Sequence, residues 1–174
     1  MALTLTFDDG PGPSTPALLD VLAAAGVHAT FFVLGCHLER RRDVALRIAL
    51  EGHVLGNHTY SHARPHAIDA RALADEIART DALIADLVGP GVPPLRLPYG
   101  LVADDPRLPM ITALGRAHVG WTAHFGDWLP CDPVELAARM RMHGDDAVLG
   151  LHDSSRTGAE RPWTVEAVRL FTRG

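Results

Sequence analysis

Short apolar segments rich in β-formers alternate along this chain with longer segments of helical periodicity. That alternation restricts the fold more than any other feature, because βα repeats build a mostly parallel sheet covered by helices. Residues 2–7 are expected as the first strand. After the loop DDGPGPST comes PALLDVLAAAG, in which Ser14 or Thr15 caps the helix, Pro16 fits the first turn and Gly26 is the stop. Further strands are expected at 29–34, 53–56, 95–97, 118–122 and 147–151, and helices at 42–50, 69–87, near 109–115, at 133–142 and at 164–171. A complete eight-fold barrel usually takes about 250 residues. The 174 residues present therefore suit a distorted, incomplete (β/α) barrel with parallel strands. VGPGVPP at 88–94 is the most linker-like stretch, but too few elements follow it for a second parallel-sheet domain, so 1–174 is expected to be one catalytic domain, short at the C-terminus and without a closing strand.

In such an architecture the chemistry gathers at the C-terminal ends of the strands, so polar residues just after strands are the ones to collect. Asp8 and Asp9 follow the first strand, His58 and His62 the third, Tyr99 the fourth, Asp127 and Trp128 the fifth, and His152 the sixth. Each group is weak alone. Asp-Gly after an apolar run is an ordinary turn signal, and ten histidines in 174 residues yield roughly half an HxxxH pair by chance. Two such pairs overlap, His58 with His62 and His62 with His66, and Pro65 disfavours the second.

Together the groups describe a reaction. Two histidines and one carboxylate make a metal site with a position left open for water, the arrangement of hydrolytic rather than structural zinc, and water on such a metal is a usable nucleophile near neutral pH. Consecutive side chains after a strand diverge, so of two adjacent carboxylates one can reach the metal and the other its water as base. A histidine across the pocket can protonate the leaving amine, and a backbone N–H in a tight loop such as PYG can serve the oxyanion.

These residues fall into five motifs, TFDDGP at 6–11, HTYSH at 58–62, RLPYG at 96–100, GDW at 126–128 and LHD at 151–153. In this order, from residue 4 to about residue 153, the chain resembles the polysaccharide deacetylases of the NodB-homology type. The resemblance implies a barrel about one repeat short of the full fold and one divalent ion, zinc or else cobalt, nickel or manganese. It implies Asp9, His58 and His62 as ligands, Asp8 as base and His152 as acid. Arg96 would pair with Asp8, Asp127 would orient His152, Tyr99 would give its N–H to the oxyanion, and Trp128, Gly150 and Leu151 would border the substrate, an N-acetylated oligo- or polysaccharide. Three positions depart from the family pattern: His124 stands where an aspartate is common, Gly150 where a leucine commonly walls the acyl methyl, and the proline that often follows the second histidine directly is displaced to Pro65. Gly150 leads to the expectation of a roomier acyl pocket. Tyr60 is expected near the site with Tyr99 and Trp128.

Composition narrows the partners. Sixteen Lys and Arg against 21 Asp and Glu give a net charge of −5, and the RRR at Arg40 to Arg42 is too short to track a phosphate backbone, so nucleic acid is not expected. Cys36 and Cys131 form neither a CxxC pair nor a disulfide framework and are expected as buried free thiols. No apolar stretch approaches a membrane span, and MALTLTFDDG does not read as an export signal. A cytoplasmic monomer is expected from the chain as given, and the cell envelope or the exterior if a leader has been removed. Two other readings use the same residues: a hydrolase of acetyl esters or small non-carbohydrate amides and ureides, and a catalytically silent binding module.

Overall fold

The structure, a computed structural model, describes residues 3–102 and 104–173. Its centre is a five-stranded, all-parallel sheet in the order β3-β2-β1-β5-β4. The strands are β1 (Thr4–Asp8), β2 (Thr30–Val33), β3 (Val54–Asn57), β4 (Ala123–His124) and β5 (Val148–His152). Ala2, expected to open the first strand, lies outside the described residues. Among the described residues seven α-helices accompany the strands: α1 (Thr15–Ala25), α2 (Gly35–Arg40), α3 (Arg42–Leu50), α4 (Ala70–Val88), α5 (Leu108–Ala113), α6 (Pro133–Met140) and α7 (Pro162–Thr172). The barrel is incomplete. Beyond β3 the sheet continues only as single parallel bridges, Asn57 to Leu95 and Leu95 to His118.

Period-two alternation sorts each strand into two faces. Leu5, Phe7, Phe31, Val33, Leu149 and Leu151 point outward into the main core, where Leu18 and Leu22 of α1, Ile48 of α3, Met140 of α6 and Val168 of α7 cover them. Each fully buried Leu, Val or Phe contributes roughly 1.5–3 kcal/mol, and this layer fixes the strand register. A smaller cluster of Leu73, Ile77, Leu95, Leu97 and Ile111 holds α4 and α5 against the irregular part of the sheet.

The inward face is unusual because an arginine occupies it. Arg96 is completely buried, and every nitrogen of its guanidinium is used: Nη1 donates to Thr6 Oγ1 at 2.7 Å and Asp8 Oδ1 at 2.8 Å, Nε to Val119 O at 2.9 Å and Nη2 to Gly120 O at 2.8 Å. Its plane lies 4.1 Å from the Phe32 ring centroid. Phe32 in turn needs a glycine beside it, since a Cβ on Gly56 would sit 2.6 Å from its ring.

That arginine also explains where the expected strands fall short. Residues 118–122 do not form a ladder, because the carbonyls of Val119 and Gly120 are taken by Arg96 rather than by a neighbouring strand. Val119 N bonds Leu95 O on one side and Thr122 N bonds Val148 O on the other, so the segment ties the two sheet edges together singly. The strand expected at 95–97 reduces to the Leu95 bridges between Pro94 and Pro98, neither of which can donate. Helix α2 was not expected. It is only six residues long, and its first N–H groups are satisfied from outside, Gly35 N by Thr59 O and Cys36 N by Tyr60 O. Both cysteines are free and partly buried rather than fully so. No helix among the described residues is long and apolar enough to cross a membrane.

Candidate active site at the strand ends

β1 ends on two aspartates that the backbone sends apart. Asp8 is the last strand residue and faces inward, in register with Phe32 and His152. Asp9 has φ 73°, a left-handed conformation that asparagine and aspartate tolerate better than most residues, and this turn directs its carboxylate away from that of Asp8. Gly10 is required next, because a Cβ there would lie 2.2 Å from the buried Asp153 carboxylate. The loop is held by Leu34 N bonding Gly10 O and by His37 Nδ1, which donates to Asp9 O at 2.8 Å.

Asp9 Oδ1 lies 3.6 Å from His58 Nε2 and 3.2 Å from His62 Nε2. The three ligand atoms fall within 4.8 Å of one another, and Asp9 Oδ1 is buried with no hydrogen-bond partner. A buried carboxylate oxygen facing two imidazoles without a donor is what a cation site demands. His58 Nδ1 lies 2.8 Å from Arg96 O; a carbonyl only accepts, so Nδ1 carries the proton and the Nε2 lone pair is free to ligate. Burial overrides the attraction of Asp9 and pulls the His62 pKa down to about 4, with the proximity of His58 adding to the effect, which keeps a potential ligand neutral. His66 sits in the short 3-10 turn Pro65–Ala67, exposed and outside this cluster.

On the opposite wall, His152 Nδ1 meets Asp127 Oδ1 at 2.9 Å, and its backbone N–H donates to Asp127 Oδ2 at 2.8 Å. Asp127 is fully buried and also accepts from Thr164 Oγ1 at 2.9 Å. Burial alone would lower the His152 pKa. The hydrogen bond and charge of Asp127, reinforced by Asp8 and Asp9, reverse this and raise it to about 9. For Asp8, burial pushes the pKa up, but His58, the Arg96 guanidinium and His152 outweigh it, leaving the carboxyl below its ordinary range.

The two walls enclose a cavity of about 480 Å³, lined by Asp8, Asp9, His58, His62 and Tyr99 on one side and by Trp121, His124, Trp128, Gly150, His152, Ser155 and Arg161 on the other, a size suited to a small ligand. Tyr99, with φ 64°, sets its ring 4.8 Å from that of His62. Trp128 stands edge-on to His152 at 5.6 Å and stacks on His124 at 5.5 Å.

Three expectations need correction. Leu151 does not border the cavity; as the residue between Gly150 and His152 it faces the other side of the sheet and is buried in the main core. The space beside Gly150 is not open, since a Cβ there would meet Trp121 Cβ at 3.3 Å and Cγ at 3.4 Å. Tyr60 is turned away, its hydroxyl donating to Glu39 and its ring covered by the Arg79 guanidinium at 3.5 Å. Trp121, Ser155 and Arg161 were not anticipated. Trp121 lies six residues before Asp127 on the same strand-end segment and was open to notice, whereas Arg161 lies beyond the last motif and no local pattern marks it.

Comparison with known proteins bears on this geometry. Residues 1–116 match the family model of polysaccharide deacetylases. The chain belongs to that family. It is 38% identical over 127 residues to a peptidoglycan-N-acetylglucosamine deacetylase of Bacillus cereus, covering 72% of this chain and 46% of that protein. It is 33% identical over 163 residues to a chitooligosaccharide deacetylase of a Bradyrhizobium species, covering 92% and 74%. This member thus spans less than half the length of the first relative. Among solved structures, the Bc1960 peptidoglycan N-acetylglucosamine deacetylase superposes with a TM-score of 0.87 at 30% identity over 99% of this chain and 80% of the other. A family 4 carbohydrate esterase from Streptomyces lividans, in complex with acetate, gives 0.86 at 26% identity over 99% and 86%.

Proposed function

We propose that this chain hydrolyses the N-acetyl group of an N-acetylated sugar, with one divalent ion held by Asp9, His58 and His62. The observation that carries the reading is the pairing of a low-pKa carboxylate, Asp8, with a high-pKa imidazole, His152, across one cavity beside an unsatisfied His-His-Asp cluster. The donor set of two imidazole nitrogens and one carboxylate oxygen fits zinc, and also cobalt, nickel or manganese. When bound, such an ion would lower the pKa of water in the cavity and polarise the acetyl carbonyl.

The side chains supply the proton movements. Asp8, kept ionised by Arg96, takes the proton from the attacking water as its oxygen bonds to the carbonyl carbon. The Tyr99 N–H stabilises the oxyanion that develops. His152, kept charged by Asp127, gives its proton to the amide nitrogen as the C–N bond breaks, releasing the free amine and acetate. Trp128 walls the bound sugar on the acid side. Metal analysis of the purified protein, followed by acetate release from chitooligosaccharides with and without a chelator, tests the proposal. Bound metal with chelator-sensitive acetate release is the expected result; the absence of both would overturn the proposal.

A further inference from the structure

One charge in the cavity has no use in this reaction. Arg161 lines the same space as Asp8, His152 and Trp128 and is 94% buried, with 6% of its surface exposed. Its Nη1 donates to Glu160 O at 2.8 Å, its backbone N–H donates to Ser14 Oγ at 2.7 Å, and its guanidinium lies 5.5 Å from the Trp163 ring centroid. Nε is buried with no partner. No carboxylate among the described residues forms an ion pair with it. The cavity's own carboxylates are committed elsewhere, Asp8 to Arg96 and Asp9 to the histidine cluster. Every other strongly buried arginine has a carboxylate partner, Arg96 with Asp8, Arg107 with Asp105 and Arg116 with Asp81.

Burying a charge without a counter-charge is costly and leaves a demand for one. A guanidinium is a rigid planar fork that matches a carboxylate, and one buried positive charge balances one monoanion. We infer that Arg161 is a substrate-recognition residue that binds a carboxylate carried on the N-acylated sugar, so that the cavity favours acidic over neutral amino sugars. The inference rests on the deacetylase reading of the same cavity. A carboxylate could also be the acetate released by that reaction. The substituent on the sugar is the assignment, and the acetate arm of the test separates the two sources.

The test compares the metal-loaded protein and its Arg161→Gln and Arg161→Lys variants on two substrates, N-acetylglucosamine oligomers and oligomers containing N-acetylmuramic acid, whose lactyl group carries a carboxylate. The ratio of kcat/KM on the acidic to that on the neutral substrate is expected to fall about tenfold or more in Arg161→Gln, through KM, and to recover in part in Arg161→Lys, which keeps the charge. Calorimetric binding of N-acetylmuramic acid and N-acetylglucosamine to the same proteins gives a readout independent of turnover, with the same change in ratio expected. Equal losses on both substrates would overturn the inference, as would a change confined to inhibition by added acetate. Thermal melts accompany the kinetics, and if Arg161→Gln does not fold, the Arg161→Lys ratio and the wild-type preference decide. A wild-type protein with no preference for the acidic sugar overturns the inference while leaving the deacetylase reading intact; no acetate from either substrate overturns that reading itself.

Discussion

The two walls of the cavity hold the same residue type in opposite states. His62, on the wall with Asp9 and His58, has its pKa depressed to about 4 by burial, while His152, on the wall with Asp127, has it raised to about 9 although burial acts on it in the same direction. What differs is the partner. His152 shares a 2.9 Å hydrogen bond with a completely buried carboxylate, whereas Asp9 faces His62 at 3.2 Å and is shared with His58. One wall is thereby suited to ligation, which needs neutral imidazole, and the other to proton donation, which needs the cation.

The largest effect should come from separating the roles of the adjacent aspartates on the ligand wall. Asp8→Asn is expected to lower turnover by about 10²–10⁴-fold, the usual range for a general base, with metal content retained. Asp9→Asn is expected to weaken metal binding itself, measured by competition with a chelating dye. Equal loss of metal in both variants would mean that the pair has been divided wrongly.

Removing the carboxylate from the other wall should come next. Asp127→Asn leaves the shape but not the charge, so the His152 pKa should drop from about 9 toward the ordinary imidazole value of about 6.5. As an acid, His152 must be protonated to act; the alkaline limb of the kcat/KM profile should therefore move to lower pH, with a loss of roughly tenfold or more at pH 8. An unmoved limb would show that a different group donates the proton.

Stability should separate the walls by sign. For His152 the folded pKa lies above the unfolded one, so its contribution is complete below about pH 6.5 and is lost as pH rises toward about 9. For His62 the folded pKa lies below, so in metal-free protein the unfolded state binds more protons between about 4 and about 6.5, and stability rises with pH across that window. His118, also lowered to about 4 by burial, adds to the acidic slope, and Asp153, raised by burial to about 7, opposes it, so the wall is read by difference. In thermal melts of metal-free protein from pH 4 to 9.5, His62→Gln should make stability rise less steeply with pH between about 4 and 6.5 than in the wild type, and Asp127→Asn should remove the fall between about 6.5 and 9. A change in both windows in either variant would show that the walls titrate as one unit.

Much of this was legible in the sequence, and the limits have physical causes. The alternation of apolar segments located β1, β2, β3 and β5 to within a few residues, because outward Leu, Val and Phe residues carry a clear period. It failed at 95–97 and 118–122, where the decisive interaction is Arg96 consuming carbonyls some 23 residues away, a contact that no local window contains. Among the site positions, Asp8, Asp9, His58, His62, Tyr99, Trp128 and His152, all read from strand ends, meet at one cavity with Asp127 directly behind His152, while Gly150 in the cavity and Arg96 behind Asp8 came from the family resemblance alone. Leu151 was misplaced by motif reading where period-two alternation alone would have faced it outward. Trp121 and Arg161 reach the cavity through tertiary packing.

The smallest expected effect lies at the floor between the walls. Gly150 has room for a Cβ only if Trp121 yields, since the closest approaches would be 3.3 and 3.4 Å. Trp121 is itself braced, its ring lying under Gly100, where a Cβ would come within 2.7 Å, and 5.5 Å from the Arg96 guanidinium. Gly150→Ala should therefore cost on the order of 1 kcal/mol through mild overpacking, a fall in Tm of about 2–4 °C for a chain of this size. The ratio of rates on acetyl and propionyl substrates should change little, because the ring and not the glycine closes the floor. Trp121→Ala should shift that ratio toward propionyl. If Gly150→Ala alters acyl preference while Trp121→Ala does not, the floor is set by the strand, and the space beside Gly150 is available to substrate after all.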